Sequence, residues 1–157
     1  MDKVVKYVRV PVKNQKKILE EQQRELMQYA EQKGFEVAEV GMLCKKTEVV
    51  EQIQGIFADE GTNTRDIASN RKAFNEMILE ALESNFNQIV IKDIETFNNS
   101  ICNQTEIVRI LRNHGINIHF CKGEIDTINL SNDETLEELF RRVEEKEING
   151  KKIEQNQ

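Results

Sequence analysis

Proline is almost absent from this chain, and no apolar run approaches the roughly 20 residues that a membrane-spanning helix needs. Cysteine is scarce as well. Cys44, Cys102 and Cys121 are odd in number and form no Cys-x-x-Cys pair, which argues against a disulfide framework and fits a reducing cytoplasm. Met1-Asp2-Lys3 followed by Val4-Val5 offers no apolar h-region, so no secretory signal is expected. Glycine-rich phosphate loops are missing, with neither G-x-G-x-x-G nor G-x-x-x-x-G-K-[ST] in the sequence. The only histidines, His114 and His119, lie five apart with Cys121 two beyond the second. A zinc site wants four ligands in tight pairs, so no metal and no cofactor are expected. The expectation for this stretch is a buried Cys121 and a partly exposed His119.

Positive charge is also in deficit. Lys and Arg number 22 against 28 Asp and Glu, a formal charge of −6. A stand-alone nucleic-acid binder normally carries a net basic face to neutralise phosphates, so DNA affinity would have to come from a separate module. At 157 residues, 38% hydrophobic and 32% charged, the composition is that of one globular, water-soluble domain.

What remains is a repeated strand–helix alternation. Val4 to Val10 is β-branched and aromatic and reads as a strand ended by Pro11, which cannot donate to a sheet ladder. From Asn14 to Lys33 no glycine or proline interrupts a helical pattern, and Gly34 stops it. Phe35–Val40 is a second strand candidate. In residues 41–56, Val49, Val50 and Ile53 suggest a short helical pattern ended by Gly55, then a short strand at Ile56–Ala58. Residues 59–70 have loop chemistry, so Asp59-Glu60 reads as a solvated pair rather than an acid–base couple. Phe74, Met77, Ile78, Ala81 and Leu82 give the clearest helix spacing, and the continuous run Ile89-Val90-Ile91 suits a strand covered on both faces. Ile107, Val108 and Leu111 mark a helix, Ile116–Phe120 a strand, and Leu136, Leu139, Phe140 and Val143 a last helix before a polar tail at 151–157. The expected fold is α/β, with a mainly parallel twisted sheet of four to five strands flanked by helices and sites at the strands' carboxyl ends. Arg9 and Arg71 can then face one crevice, where guanidinium groups hold phosphate bidentately. Position alone reads both as surface arginines.

Tyr7-Val8-Arg9-Val10-Pro11 with Gln15 four residues on resembles the opening Tyr-x-Arg-Val-Ser…Gln motif of the serine recombinases, the resolvases, invertases and large serine integrases. The similarity continues in order. Gln22, Tyr29 and Gly34 match the first helix and its stop, and Phe57-Ala58-Asp59-Glu60-Gly61 resembles a Tyr-x-Asp-x-Gly turn. Arg71, Phe74 and Met77 resemble Arg-x-x-Phe-x-x-Met. Ile91-Lys92-Asp93-Ile94 is similar to the strand leading into an acidic-or-Ser, Arg, x, x, Arg segment, and Glu124–Thr127 to a stretch of the large members. The resemblance spans about residues 3–145. It implies a resolvase-like catalytic domain over 1–150, DNA as family ligand, an oligomer with recombinase-type subunits, and a cytoplasmic protein without membrane contact. It further implies site-specific DNA recombination, in which a serine hydroxyl attacks a phosphodiester and forms a phosphoserine link while arginines stabilise the transition state.

The departures fall on the chemistry. The nucleophile position is Pro11, and the segment that should carry two arginines reads Glu95, Thr96, Phe97, Asn98, Asn99, so Thr96 and Asn99 stand where arginines are lost. Arg9, Gln15, Asp59, Arg71 and Lys92 are retained, and 41–56 reads as an insertion. One oxyanion-type donor is typically worth about 10²–10³ in rate, so losing a nucleophile and two arginines implies an inactive domain. The expected role is interaction with, or regulation of, an active recombinase, with no C-terminal DNA-binding module expected. The alternatives are an active subunit in a mixed assembly or a degenerate remnant.

Overall fold

The computed structural model describes residues 2–10, 15–45, 48–60, 71–97, 104–122 and 125–127, with Glu138, Arg141 and Glu145 as single helical positions. The strands are β1 (Lys3–Val10), β2 (Glu36–Val37), β3 (Met42–Lys45), β4 (Glu48–Glu51), β5 (Ile56–Glu60), β6 (Gln88–Ile91), β7 (Asn117–Phe120) and β8 (Ile125–Asp126). The helices are α1 (Gln15–Lys33), α2 (Lys72–Leu82), α3 (Ile94–Phe97) and α4 (Gln104–Asn113).

β1 is the centre of one sheet ordered β4-β3-β5-β1-β6-β7-β8, with the two-residue β2 also pairing β1. Its pairings with β5 and β6 are both parallel, in register Arg9↔Asp59 on one side and Tyr7↔Ile91 on the other. From Val4 onward every β1 residue is buried, as a parallel strand covered on both faces requires. Val4, Val8 and Val10 face Leu26 and Ala30 of α1, whereas Val5 and Tyr7 face Phe74, Met77 and Leu111 of α2 and α4. Period-two alternation along one strand thus divides the core into two layers, where each fully buried apolar side chain contributes about 1.5–3 kcal/mol.

The parallel core β3-β5-β1-β6-β7 has five strands where four to five are expected, and antiparallel β4 and β8 extend it at the edges. Residues 41–56 differ from their expected helical pattern. Val49 and Val50 lie in β4, exposed and antiparallel to β3, while β3 pairs β5 in parallel. Two adjacent β-branched residues gain more from extending a sheet than from a single isolated turn of helix. The candidate strand Phe35–Val40 contracts to Glu36–Val37, and Ile116 sits buried just ahead of β7. Asp59 and Glu60 end β5, and both are buried rather than solvated loop residues. His119 and Cys121 exchange their expected environments. His119 is buried between the Tyr29 and Phe35 rings, bonded to Tyr29 Oη at 3.1 Å and Gln88 Oε1 at 2.6 Å, while Cys121 is half-buried. The last-helix residues Leu136, Leu139, Phe140 and Val143, the loop 61–70 and the tail lie outside the described residues.

Candidate functional site

The chain enters the sheet at β1, places β5 on one side of it, then crosses to β6 on the other. The carboxyl ends of β1, β5 and β6 therefore flank the point where strand order reverses, the usual place for a crevice in an open α/β sheet. Arg9 and Asp59, neighbours in register, lie one residue before the ends of β1 and β5, while Lys92 and Asp93 follow β6. Arg71 immediately precedes α2.

Asp59 is fully buried, and its carboxylate does the work of a helix cap. Oδ1 accepts the Ala73 N–H at 2.9 Å, and Oδ2 accepts the Phe74 N–H at 3.1 Å and the Tyr7 O–H at 2.7 Å. An acidic group at a helix start satisfies otherwise unpaired donors and complements the positive end of the helix dipole. Burial raises the Asp59 carboxyl above its ordinary value, opposed by the hydrogen bonds from Tyr7, Ala73 and Phe74 and by the charge of Arg71. Burial, reinforced by the Asp59 charge, also pushes the Tyr7 phenol upward, so it stays protonated and donates.

Arg71 is the largest fully buried side chain among the described residues. Nε and Nη2 donate to the Tyr7 hydroxyl oxygen at 3.3 and 3.2 Å, Nη2 donates to the Thr96 carbonyl at 2.7 Å, and Nη1 to the Phe97 carbonyl at 3.2 Å. The guanidinium lies 4.2 Å from the Phe74 ring centroid and 5.3 Å from that of Tyr7. A chain of polar contacts thus runs from α3 through Arg71, Tyr7 and Asp59 into the start of α2. Position alone suggested surface arginines; instead Arg71 is sealed and Arg9 is 7% exposed. The reason is the register, which puts Arg9 on the Tyr7 side of β1, beneath the helices.

Asp93 and Thr96 shape the neighbouring turn. Asp93 Oδ1 accepts the Thr96 N–H at 2.8 Å and the Thr96 hydroxyl at 2.7 Å, which caps α3. Phe97 is buried against Phe74 and Phe120. Lys92 is half-buried, and its carbonyl accepts the Lys122 N–H at 2.9 Å. Gln22, from α1, donates to the Arg9 carbonyl at 3.3 Å. Gln15 opens α1. The side chains of Gln15 and Glu95, and all of Pro11 and Asn99, lie outside the described residues. Tyr7 and Asp93 were not singled out as site residues from sequence. The signals were available: a phenol in a valine-rich strand covered on both faces needs a partner, and Asp93-x-x-Thr96 has helix-start spacing.

Chemically the crevice holds buried positive charge and no activated nucleophile among the described residues. The Thr96 hydroxyl is bonded to Asp93. Cys44, paired in register with Asp59, is buried, and burial followed by the Asp59 charge pushes its thiol up to about 11. His119, a possible base, bonds instead to Tyr29 of α1, in the opposite layer. Among the described residues no His, Cys, Asp and Glu cluster could hold a metal, and no helix is long and apolar enough to cross a membrane.

A mostly parallel sheet flanked by helices, with its strand order reversing at β1/β6, defines a doubly wound α/β domain. The model described as "Resolvase, N terminal domain" matches residues 4–156, and the chain belongs to that family, the catalytic domains of the serine recombinases. Its fold is similar to the N-terminal catalytic domain of TP901-1 integrase, with TM-score 0.61, 18% identity, and coverage of 99% of this chain and 100% of that one. It is likewise similar to a resolvase family site-specific recombinase from Streptococcus pneumoniae, with TM-score 0.62, 18% identity, and coverage of 98% and 95%. No curated protein gives a significant match.

Proposed function

We propose that this chain is a serine-recombinase catalytic domain that no longer performs strand exchange and acts by associating with recombinase-type subunits at DNA. The observation that carries this reading is Pro11 at the nucleophile position, a residue with no side-chain oxygen or sulfur to form a phosphoester. Two further facts support it. Thr96, where the resemblance expects an arginine, has its hydroxyl bonded to Asp93, and the retained Arg71 has donors on both Nη atoms directed at peptide carbonyls. Those Arg71 donors are therefore committed within the protein rather than directed at transition-state charge. The acidic balance of −6 fits a subunit whose DNA affinity comes from elsewhere.

The test is a denaturing gel for a protein–DNA band on nicked suicide substrates. The unmodified chain should give none, and Pro11→Ser alone should not restore one. A band from the unmodified chain overturns the inactive reading in favour of an active subunit. Mixing the chain with an active recombinase should change the partner's recombination rate, whereas a remnant without function would leave it unchanged.

A further inference from the structure

Arginine recognises a phosphate with a pair of parallel N–H groups, either the end-on pair Nη1/Nη2 or the side pair Nε/Nη2. In this fold both edges of Arg71 meet oxygen. The side pair meets the Tyr7 hydroxyl, and the end-on pair meets the consecutive carbonyl oxygens of Thr96 and Phe97. Both carbonyls belong to α3, and a peptide oxygen aimed at a guanidinium is a strong acceptor for it. Two peptide oxygens, one residue apart, hold the place that two oxygens of a phosphate would take.

We propose that α3 is an internal gate on Arg71, the Thr96 and Phe97 carbonyls standing in for a phosphate or phosphodiester that binds only when α3 moves away. The ligand class rests on the reading of this crevice as a recombinase-type site. The seal itself rests on geometry alone. Arg71 is 0% exposed with α3 in place. Burying a guanidinium is costly unless oxygens surround it, so the cation and the turn hold each other. Among the described residues, side-chain contacts besides Arg71 also hold α3. The Asp93 carboxylate caps it through Thr96, and Phe97 wedges between Phe74 and Phe120. Loosening either should raise the open fraction, and apparent affinity rises in proportion to that fraction.

The test uses inorganic phosphate, with the Arg71 Nε–H NMR signal as the reporter of binding. Hydrogen exchange at the Thr96 and Phe97 amides, read on the same samples, reports opening. In the wild-type chain phosphate should leave the Arg71 signal in place. Asp93→Ala should speed exchange at both amides and bring about tenfold tighter phosphate binding at Arg71 for a tenfold larger open fraction. Asp93→Asn keeps an acceptor for Thr96 and should behave as wild type. Phe97→Leu is a second loosening variant, which removes the ring contacts with Phe74 and Phe120 but keeps an apolar side chain, should Asp93→Ala fold poorly. Wild-type chain binding phosphate at Arg71 as tightly as the loosened variants would overturn the gate. So would faster exchange without a phosphate response, or unchanged exchange in both variants. No nucleophile enters this measurement, so a covalent band in the gel assay would overturn the inactive reading while the gate is judged separately.

Discussion

Removing the Asp59 carboxylate tests whether the crevice network organises the fold. In Asp59→Ala three donors lose their acceptor at once, namely the Ala73 and Phe74 N–H groups and the Tyr7 hydroxyl. A buried donor left unsatisfied costs about 1–3 kcal/mol, and loss of a cap to alanine costs about 0.5–2 kcal/mol. Water entering the vacated space relieves part of that, so the expected loss is about 3–5 kcal/mol. Against a total stability of about 5–15 kcal/mol for a domain of this kind, the variant should be marginal. Urea unfolding followed by far-UV circular dichroism measures it, with an unchanged slope showing that the denatured state is the same. Asp59→Asn sharpens the reasoning through pH. Because burial raises the folded-state carboxyl above its ordinary 3.8, wild-type stability from this group is fully present below 3.8 and falls as pH climbs through the raised value. Asparagine does not titrate, so the gap between wild type and Asp59→Asn should be wider at low pH than at neutral pH. A loss below about 1 kcal/mol in Asp59→Ala, with the first amides of α2 still protected from exchange, would refute the capping argument.

Two further outcomes follow from the opposite layer and from the turns. Burial depresses His119 below its ordinary 6.5, with Lys33 acting in the same sense and Asp126 and Asp2 against it; its contribution is therefore complete above 6.5 and lost as pH falls through the folded value, and a urea-midpoint series should decline with acidification in wild type and stay flatter in His119→Phe. Gly41→Ala would bring a Cβ to 1.8 Å from the Ile53 carbonyl oxygen, forcing the backbone between β4 and β5 to move, whereas Gly34→Ala meets nothing within 4 Å and carries only the strain of φ +74°; thermal melts should show Gly34→Ala losing about 1 kcal/mol and Gly41→Ala clearly more.

The elements that the sequence fixes by itself are those whose patterns are redundant. α2 repeats apolar residues at helical spacing from Phe74 to Leu82, and β6 is an unbroken apolar run, so each states both its conformation and its burial. The motif around Tyr7, Arg9, Asp59 and Arg71 was legible as well, and with it the family. Residues 41–56 were not. Val49 and Val50 are compatible with helix or strand, and only the open edge of β3, contributed by residues outside β4 itself, selects the strand. Asp59 and Glu60 carry loop composition, yet parallel pairing with β1 draws them into the interior, where hydrogen-bond donors are already waiting for Asp59.

Thus the order of strands and helices, the amphipathic faces and the missing hydroxyl at Pro11 were determined by local sequence, because each depends on residues close together in the chain. What each polar group in the crevice does was decided by tertiary structure. Arg71 meets Tyr7, 64 residues away, and the Thr96 carbonyl, 25 residues away. A guanidinium has the same chemistry on a surface, against a phosphate or beneath a turn. Which of these it meets depends on burial and on the oxygens that distant segments bring to it, and neither is written in its neighbours.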